Sequence, residues 1–567
     1  MDLNRKIRFG IMVDGDTVEQ WQFDTVKMLI DNGIELSLII KNGDETKPYK
    51  SFGGKVLHYP YRQVLFRVWH RYFFKPEAKQ QTNFMEEISR FRSATLEMTR
   101  EESVISTEVE KSPALMTVIP QKKGISTYFK SEDVEQIRSY DLDFILRFGF
   151  DIIRGDVLKA ARHGIWSYHH DDERVVRGGP PGFWEFMKKI PSNGVILQQL
   201  TDELDKGLIL KRLKFDTVLH SYKFHLNRLL TESEFLPLQV CKELIVNGKL
   251  EPELSQSKAP IMHPPKNLRM MWYFWLCIWR KFVFHWNYYF RQEDWNVGYY
   301  FNTNHNEIHW LKPPKTDYFA DPFVISNEDD TYLFFEWFSN KNGKADLAVA
   351  KKSEDFNVYH KISDFPEHRS YPYVFDYQGE IYCIPEANQT NKVSLYRFDE
   401  THGRASLQWD CDLLDGCYVD ATLHHHSDGK WYLFTTPQRQ SHTHLLIFVA
   451  DDLRGPYRPH YNNPAKVDCS DSRMAGKIME IDGNLVRPAQ NSSRHYGESI
   501  TLNKIVQLNE YQYIEETTNE IKPDKKWTYD KGTHTINSDE VMTVFDAKKF
   551  TFTWKGFVQQ WRQKRHA

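Results

Sequence analysis

The stretch TYLFFE at residues 331–336 is a short apolar run that follows acidic turn residues, a pattern typical of a β-strand entered from a tight turn. Runs of the same kind recur at 381–386, 431–436, 485–490 and 541–546. Measured between their second residues, at 332, 382, 432, 486 and 542, the spacings are 50, 50, 54 and 56 residues. A strand repeat of about this length predicts the blades of a β-propeller, and five copies predict five blades.

A second strand is predicted shortly before each run, at 319–323, 370–374, 418–422, 473–476 and 532–535. The first strand of a propeller blade lines the central channel, so a binding site is expected there. Asp321 and Asp420 lie on two of these strands, and glycoside chemistry requires paired carboxylates across a pocket. The polar ring predicted around the channel consists of Asp321, Glu336, Glu386, Asp420, Arg473, Arg487, Gln490 and His534. Such a ring suits a sugar or sugar phosphate; the alternative is that several members only satisfy backbone groups at strand ends.

The C-terminal half resembles two families. Ala320-Asp321-Pro322 resembles the five-bladed glycoside hydrolases of the arabinanase and xylosidase type. Residues 300–550 more closely resemble the propeller-like N-terminal domain of plant glucosamine inositolphosphorylceramide transferase, through the segments at 321–323, 371–372, 385–386, 419–422, 487–490 and 496–497. The hydrolase pattern expects a Glu as general acid on the fourth blade, where this chain has RMAG at 473–476, so the sequence argues against hydrolysis at that site.

Strands and helices alternate in the N-terminal half, with strands predicted at 7–13, 34–40, 141–150, 165–170 and 194–200. This alternation predicts an α/β domain with a Rossmann-type parallel sheet. No Gly-x-Gly-x-x-Gly follows the first strand, so the dinucleotide-binding fingerprint is absent.

One of these strands carries a candidate catalytic pair. Side chains alternate along a strand, so Ser167 and His169 share one face while Tyr168 and His170 take the other. Asp205, in the turn after a neighbouring strand, can approach the first face. A His oriented by an Asp, beside a hydroxyl at the carboxyl end of a parallel sheet, is placed where α/β folds carry out reactions. A structural role for the same residues is the alternative.

Residues 130–215 resemble the core of the folate-dependent formyltransferases, through GIWSYH at 164–169, RGGP at 177–180, GVILQ at 194–198 and LDKG at 204–207. That family includes methionyl-tRNA, glycinamide ribonucleotide and sugar-amine formyltransferases. The resemblance implies 10-formyltetrahydrofolate as cosubstrate, with His169 and Asp205 at the family's catalytic His and Asp, and Ser167 where the family has Asn. It also implies folate contacts at Phe148, Gly149, Phe150 and Ile153, and acceptor contacts at Arg177 and Gly178.

Ser167 is the main departure from the family. An amine that attacks a formyl carbon creates an oxyanion, which needs a hydrogen-bond donor, and loss of one such donor costs about a hundred- to a thousandfold in rate. A Ser hydroxyl can donate but has a shorter reach than an amide, so a water or His170 would have to help.

The composition of the chain argues against several further classes of protein. Lys and Arg number 74 against 77 Asp and Glu, giving a net charge of -3, which argues against general nucleic-acid binding. The six cysteines form no Cys-x-x-Cys pair, so no structural zinc site or disulfide framework is expected, and no metal is expected elsewhere. The first residues lack the apolar stretch of a secretory signal, so we expect a cytoplasmic protein.

Residues 270–279 are continuously apolar but fall short of the roughly 20 residues that a membrane span needs. The aromatic and basic continuation at 282–290 indicates an interfacial helix with peripheral membrane contact. The alternative is a helix wedged between two domains.

The predicted fold class is therefore multidomain: a formyltransferase-like α/β domain at 1–259 with its core at 130–215, a linker and aromatic helix at 260–298, an all-β five-bladed propeller at 299–556 and a tail at 557–567. The predicted function is formyl transfer to an amine of a sugar or glycoconjugate, in surface polysaccharide or glycolipid biosynthesis, with the propeller binding the saccharide. One alternative is a glycan-binding or glycosyl-transferring protein centred on the propeller, with a repurposed N-terminal site. The other is a hydrolase in which water replaces the amine at His169 and Asp205.

Overall fold

A computed structural model describes residues 6–44, 61–84, 86–88, 90, 112–124, 126–203, 207–255, 259–362, 365–401 and 404–554. The chain forms two compact units, one of residues 1–213 with 217–281 and one of residues 214–216 with 282–567. The change of unit thus falls inside the aromatic segment, after residue 281. The predicted tail at 557–567 lies outside the described residues.

The described strands of the N-terminal part are β1 (Arg8–Val13), β2 (Thr17–Glu19), β3 (Glu35–Asn42), β4 (Gln81–Asn83), β5 (Ala114–Val118), β6 (Gln121–Lys123), β7 (Ser126–Tyr128), β8 (Phe144–Arg147), β9 (Ile152–Arg154), β10 (Ile165–His169), β11 (Arg177–Gly178), β12 (Ser192–Gln199), β13 (Leu208–Asp216), β14 (Glu253–Leu254) and β15 (Ile261–Met262). The described helices are α1 (Gln20–Asp31), α2 (Val64–Tyr72), α3 (Ser131–Arg138), α4 (Phe183–Lys188), α5 (Tyr222–Thr231), α6 (Leu236–Asn247) and α7 (Asn267–Phe290).

An eight-stranded sheet with the order β14-β13-β12-β10-β8-β1-β3-β5 organises the N-terminal unit. The five strands from β10 to β5 run parallel, which confirms the predicted Rossmann-like sheet. Five of the six residues of β1 are buried, as expected for a strand in the middle of a parallel sheet. Helix α1 buries Trp21, Phe23, Val26 and Leu29.

The sheet is not parallel throughout, because β12 runs antiparallel to β10. Gln199, the last residue of β12, pairs with Trp166 near the start of β10. The chain therefore leaves β12 at the same end of the sheet as the first residues of β10. Asp205, the predicted partner of His169, lies outside the described residues.

After α7, the regular elements described for the C-terminal part are strands and three short 3-10 helices. The strands are β16 (Arg291–Phe301), β17 (His309–Trp310), β18 (Asp317–Ser326), β19 (Thr331–Ser339), β20 (Lys344–Lys351), β21 (His360–Lys361), β22 (Ser370–Tyr377), β23 (Glu380–Glu386), β24 (Lys392–Thr401), β25 (Arg404–Asp415), β26 (Tyr418–His425), β27 (Trp431–Pro437), β28 (His444–Ala450), β29 (Arg458–Pro459), β30 (Lys466–Val467), β31 (Met479–Ile481), β32 (Asn484–Asn491), β33 (Ser499–Leu508), β34 (Tyr513–Ile521), β35 (Ile536–Ser538) and β36 (Met542–Phe552).

These strands form several antiparallel sheets, ordered β18-β19-β20-β21, β22-β23-β24-β25, β26-β27-β28-β29, β31-β32-β33-β34 and β17-β16-β36-β35. The five repeated runs of the sequence correspond to β19, β23, β27, β32 and β36. Three of the preceding segments are strands as expected, β18, β22 and β26. The other two are not: Met474 and Gly532 make only isolated bridges, to Ala489 and Lys548.

The first and last strands of this part pair with each other. Strand β16 lies antiparallel to β36 along its whole length, from Arg291 opposite Phe552 to Phe301 opposite Met542. Strand β16 begins at residue 291, inside the range 260–298 that the sequence assigned to a linker and aromatic helix. One buried apolar cluster joins residues of four sheets, among them Phe334, Tyr373, Leu433 and Ile505.

Candidate functional site

Three successive sheets of the C-terminal unit share one backbone irregularity. Asp321, Tyr371 and Asp420 adopt positive φ angles of 49°, 42° and 52°, and the strand register shifts across each of them. Positive φ is costly for residues other than glycine and is retained where the surrounding structure enforces it, often at functional sites. A bulge also redirects the side chain it carries. The repeat therefore turns three side chains out of the regular strand pattern.

Contacts between these residues bring the sheets together. The Tyr371 N–H donates to Asp321 Oδ2 at 3.2 Å, and the Tyr371 hydroxyl shares a hydrogen bond of 3.0 Å with Thr422. The Asp321 N–H donates to Asp546 Oδ2 at 3.1 Å. Polar groups of four different sheets thus meet around Asp321.

His534 lies between two carboxylates. Its Nε2 is 3.3 Å from Asp321 Oδ1, and its Nδ1 is 2.6 Å from Asp546 Oδ2. Burial lowers the pKa of His534, but Asp546 and Asp321 outweigh burial, so the pKa lies above its ordinary value. The ring packs against Trp295 at a tilt of 31°, with the ring centroids 4.0 Å apart. We interpret His534 as an imidazolium that neutralises these two acids.

Asp321, His534 and Asp546 are also the one group in the described part of the chain with the geometry of a metal site, with ligand atoms within 4.8 Å of one another. Both ring nitrogens of His534 lie close to a carboxylate oxygen, so a protonated ring would supply the positive charge that the acids need. A metal ion would have to displace that proton.

Asp420 is held by a second cation. It is only 2% exposed, and Arg473 contacts both of its oxygens, with Nη2 3.2 Å from Oδ1. Gln490 Nε2 donates to Asp420 Oδ2 at 3.0 Å. The Arg473 guanidinium lies 5.0 Å from the centre of the Tyr496 ring. The Arg473 guanidinium thus forms a bidentate, charge-assisted pair with the buried Asp420 side chain.

Two further acids, Glu336 and Glu386, have no such cation of their own. Burial raises the pKa of Glu336 well above its usual value, and Asp321 adds to the effect. Burial raises the pKa of Glu386 in the same way, with Asp420 as the next contribution. The Asp420 N–H lies 3.4 Å from Glu386 Oε2. Asp321, Glu336, Glu386 and Asp420, which we call the four-carboxyl cluster, therefore include one carboxyl paired with a guanidinium and two glutamates whose pKa burial raises. Carboxyl groups in such different environments are the arrangement used in acid–base chemistry.

Arg487 lies apart from this cluster. Its guanidinium is fully buried against Glu515, with Nη2 2.6 Å from Oε1, and donates to Tyr513 at 3.0 Å. Arg487 and Gln490 are three residues apart on β32, so their side chains point to opposite faces. The structure thus separates Arg487 from the predicted polar ring around the channel. The sequence repeat locates the strand correctly, but the alternation of side chains along that strand determines which face each residue occupies.

Sequence reasoning missed several members of the site, namely Trp295, Tyr371, Tyr496, Thr535 and Asp546. Two of them carried a signal. Tyr371-Pro372 repeats the Asp321-Pro322 pattern 50 residues later, and Asp546 ends the fifth run just as Glu336 and Glu386 end the first two. Comparing equivalent positions of the repeat would have found both.

In the N-terminal unit, Ser167 is 2% exposed and pairs with Arg147 and Gln198 on the flanking strands. His169 ends β10 and is half-buried. The Tyr168 and His170 rings stack at 5.6 Å, which confirms the expected alternation of faces. Burial lowers the pKa of His170 to about 3. Because the His170 ring stacks on Tyr168, it lies on the face of β10 opposite Ser167. The expectation that His170 could assist the Ser167 hydroxyl is therefore wrong.

The loop after β8 is fixed by Asp14. The Phe150 N–H donates to Asp14 Oδ1 at 2.8 Å, and a side chain at Gly149 would collide with the same carboxylate, since its Cβ would lie 2.6 Å from Oδ1. Phe150 and Ile153 belong to the buried core. Phe148 is half-buried beside Trp21. Of the four predicted folate contacts, the side chains of Phe150 and Ile153 are thus occupied by core packing.

Arg177 and Gly178 form β11, which pairs with β15. Arg177 Nε donates to the Ala259 carbonyl at 2.7 Å. Gly178 has φ +87°, and a Cβ there would lie 2.3 Å from the Met262 carbonyl oxygen. In the structure, these two predicted acceptor contacts hold the chain of residues 259–262 in place.

A buried acid pair lies near this loop and was not predicted. Glu185 is 2% exposed, and within the described residues its carboxyl oxygens accept no hydrogen bond from another residue. Burial raises the pKa of Glu185 to about 7. Burial and the nearby Glu185 raise the pKa of Asp171 to about 8, although a hydrogen bond from the Gly178 N–H lowers it in part.

Comparison with known proteins gives one family match, to glucosamine inositolphosphorylceramide transferase 1, N-terminal, over residues 309–548. The chain is 31% identical over 215 residues to glucosamine inositolphosphorylceramide transferase 1 of Oryza sativa subsp. japonica, which covers 36% of this chain and 28% of the relative. The Arabidopsis thaliana protein of that name is 30% identical over 211 residues, covering 35% and 27%. The chain thus spans less than a third of the length of these relatives.

Among solved structures, a sugar N-formyltransferase from Shewanella sp FDAARGOS_354 is 11% identical with a TM-score of 0.27, covering 45% of this chain and 76% of that chain. A family 117 glycoside hydrolase from Zobellia galactanivorans is 12% identical with a TM-score of 0.30, covering 46% and 91%. We draw nothing about function from likenesses at this level.

Proposed function

We propose that this chain is a transferase that acts on a glycoconjugate and holds the sugar at the four-carboxyl cluster of its C-terminal unit. The observation that carries the proposal is the Asp420–Arg473 ion pair beside Glu386, whose pKa burial and Asp420 raise. Sugar hydroxyls both donate and accept hydrogen bonds, so a site needs carboxylate acceptors next to neutral donors. Glu386 and Tyr496 are half-buried, which provides access from solvent and an aromatic ring beside the polar groups.

The arrangement of the sheets that best explains this site is the five-bladed propeller. Support comes from contacts that pass from sheet to sheet: Asp546 to Asp321, Asp321 to Tyr371, Tyr371 to Thr422, and Asp420 to Arg473. Tyr496 and His534, with ring centroids 5.1 Å apart, complete the series. The pairing of β16 with β36 would close the ring of blades.

The family match adds independent support. It spans residues 309–548, a range that contains every member of the four-carboxyl cluster together with Arg473, Gln490 and His534. The relatives are named as transferases of glucosamine inositolphosphorylceramide, which favours a sugar-bearing lipid as the substrate of this chain.

For the N-terminal unit we propose formyl transfer to an amine of the same substrate. Ser167 and His169 share a face of β10, and the half-buried His169 can take the amine proton. The residues fit 10-formyltetrahydrofolate in part: Phe150 and Ile153 are committed to the core, so contacts there would use main-chain atoms of the loop at 148–150. The folate, when bound, would supply the formyl group.

The second candidate is glycosyl transfer or glycan binding centred on the C-terminal unit, with the N-terminal site repurposed. Glu386 beside Asp420 favours it, because cleavage or transfer of a glycosidic bond requires a pair of carboxyl groups, one of them with a raised pKa, and burial raises the pKa of Glu386. Hydrolysis, with water in place of the amine at His169, is the third candidate.

A glycan array that includes glucosamine-containing lipids tests the sugar site. We expect binding by the intact protein, loss of binding in Asp420→Asn, and no change in Asp482→Asn. Asp482 is an exposed aspartate at nearly the same φ, 49°, so it controls for the backbone effect of the substitution. Equal binding by the two variants would contradict the proposal.

Calorimetry with 5-formyltetrahydrofolate tests the N-terminal unit separately. We expect His169→Ala to bind the folate without supporting transfer from 10-formyltetrahydrofolate. We expect Ser167→Asn to raise the transfer rate about tenfold or more, because an amide reaches further than a hydroxyl. Absence of folate binding by the intact protein would favour the second candidate.

A further inference from the structure

Helix α7 is apolar on two opposite faces. Met270, Tyr273 and Leu276 are buried and pack into the core of the N-terminal unit with residues such as Phe183 and Tyr222. On the opposite face, large apolar side chains are exposed: Leu268 by 79%, Met271 by 60%, Trp272 by 51%, Trp275 by 49% and Ile278 by 74%. A helix that is apolar all round is expected to be covered on every side. We therefore expect the exposed face of α7 to bind another apolar surface.

The exposed tryptophans are ordered along this face. Trp272 stacks on Trp275 with centroids 4.6 Å apart, and Trp275 stacks on Trp279 at 6.0 Å. Leu268, Arg269, Met271, Trp272 and Trp275 line a shallow depression on the surface of the helix. Scattered apolar residues are normal on protein surfaces, but a continuous patch of this kind marks an interaction surface.

A second helix, α2, lies beside the start of α7. The rings of Trp69 in α2 and Tyr273 in α7 pack edge to face, with their centroids 5.1 Å apart. The Asn267 side chain accepts from the Leu65 N–H at 3.0 Å and donates to the Tyr61 carbonyl at 2.8 Å, which fixes the start of α2 beside the start of α7. Tyr61 is 73% exposed and Leu65 is 37% exposed.

The charge of the two segments identifies the partner. Residues 61–76 and 259–292 contain no Asp or Glu, although acidic residues outnumber basic ones in the whole chain. The basic residues that these segments expose are Arg62, Arg71, Lys75, Lys266, Arg269 and Lys281. Exposed tryptophans flanked only by positive charge fit the interface of an anionic bilayer, where aromatic rings sit at headgroup level and Lys and Arg meet lipid phosphates.

We propose that the exposed face of α7, together with the adjoining start of α2, binds the surface of an anionic lipid membrane. The helix lies in the interface, since none of the helices described in this chain is long and apolar enough to cross a bilayer. The proposal does not depend on the sugar site: it rests on exposure and charge in the N-terminal unit and the shared helix.

Flotation of the full chain with lipid vesicles tests the proposal. We expect binding to vesicles that contain about one third phosphatidylglycerol, at least about tenfold tighter than binding to pure phosphatidylcholine. The double variant Trp272→Ser with Trp275→Ser should lose this binding. Trp409→Ser is the matched control, because Trp409 is also exposed, by 62%, but lies in the C-terminal unit.

A charge variant separates the two contributions. Arg269→Glu with Lys281→Glu should remove the preference for anionic vesicles while the fold, judged by circular dichroism and the unfolding midpoint, stays unchanged. Vesicle binding that survives in the tryptophan variant would overturn the proposal. The proposal would also be overturned if the intact protein did not bind vesicles and formed a dimer, while the tryptophan variant remained a monomer.

Discussion

Arg473 lies against Asp420 in the C-terminal unit, with Nη2 3.2 Å from Oδ1, and both side chains are almost completely buried. Both charges are largely removed from water, so each depends on the other. Removal of one partner leaves an uncompensated buried charge, which typically costs about 3–5 kcal/mol of stability.

We therefore expect Arg473→Met to lower the free energy of unfolding by about 3–5 kcal/mol. The double variant Arg473→Met with Asp420→Asn should lose less than the sum of the two single variants, because it removes both charges. Urea unfolding of the four proteins measures the coupling. Losses that add within about 0.5 kcal/mol would mean that the two residues act independently.

Sugar binding should depend on pH through Glu386. Burial and Asp420 raise the pKa of this acid, so it stays protonated and can donate a hydrogen bond until the pH rises through that raised pKa. Affinity should then fall as Glu386 ionises. Glu386→Gln keeps a donor that does not ionise, so its affinity should be less dependent on pH. Titrations between pH 5 and 9 measure both profiles, and parallel profiles would contradict the assignment.

His534 should stabilise the fold as a cation. Asp546 and Asp321 raise its folded pKa above the ordinary 6.5 in spite of burial. The stabilisation is therefore complete below pH 6.5 and lost as the pH rises through the folded value. We expect His534→Gln to lower the unfolding midpoint more at pH 6 than at pH 9.

The same measurement with a chelator addresses the metal alternative at Asp321, His534 and Asp546. With an imidazolium in place, the unfolding midpoint of the intact protein should not change when a chelator is added. A midpoint that falls with chelator and recovers with one divalent cation, only when His534 is present, would replace the imidazolium by a metal site.

Glu185 should make the N-terminal unit less stable at high pH. Burial raises its pKa from 4.5 to about 7, so the folded state retains a proton that the unfolded chain gives up, and stability falls as pH rises between these values. Glu185→Gln removes this loss. It should be more stable than the intact protein at pH 8, by about 3 kcal/mol at most, and similar at pH 4.

Glu132→Gln, at an exposed position of α3, is the control for Glu185→Gln. Its stability should follow that of the intact protein at every pH. A Glu185→Gln profile that also follows the intact protein would mean that Glu185 is ionised or hydrated in solution.

The sequence predicted the parallel strands and the five repeated runs because both depend on local apolar patterns. Asp321, Glu386 and Asp420 were found because they occupy fixed places in the repeat. Asp546 occupies such a place too, but its role depends on His534 and on the pairing of β16 with β36. The pairing partner in that case lies more than two hundred residues away along the chain, beyond the range of any local pattern.

The direction of side chains accounts for the remaining differences. Arg487 faces away from the cluster because it is an odd number of residues from Gln490 on β32, which the alternation rule would have revealed. The positive φ angles at Tyr371 and Asp420 could not be foreseen, because neither residue is a glycine and nothing in the neighbouring sequence requires a bulge. Antiparallel β12 likewise depends on tertiary packing rather than on its own residues.

The most direct test of the central claim is a calorimetric titration of a methyl glucosaminide into the intact protein, Glu386→Leu and Glu380→Leu. Both glutamates belong to β23, but Glu380 is exposed at the start of the strand and Glu386 belongs to the four-carboxyl cluster. We predict that the intact protein and Glu380→Leu bind the sugar with the same affinity and that Glu386→Leu does not bind. Equal binding by all three proteins, or binding by none, would contradict a sugar site at this cluster.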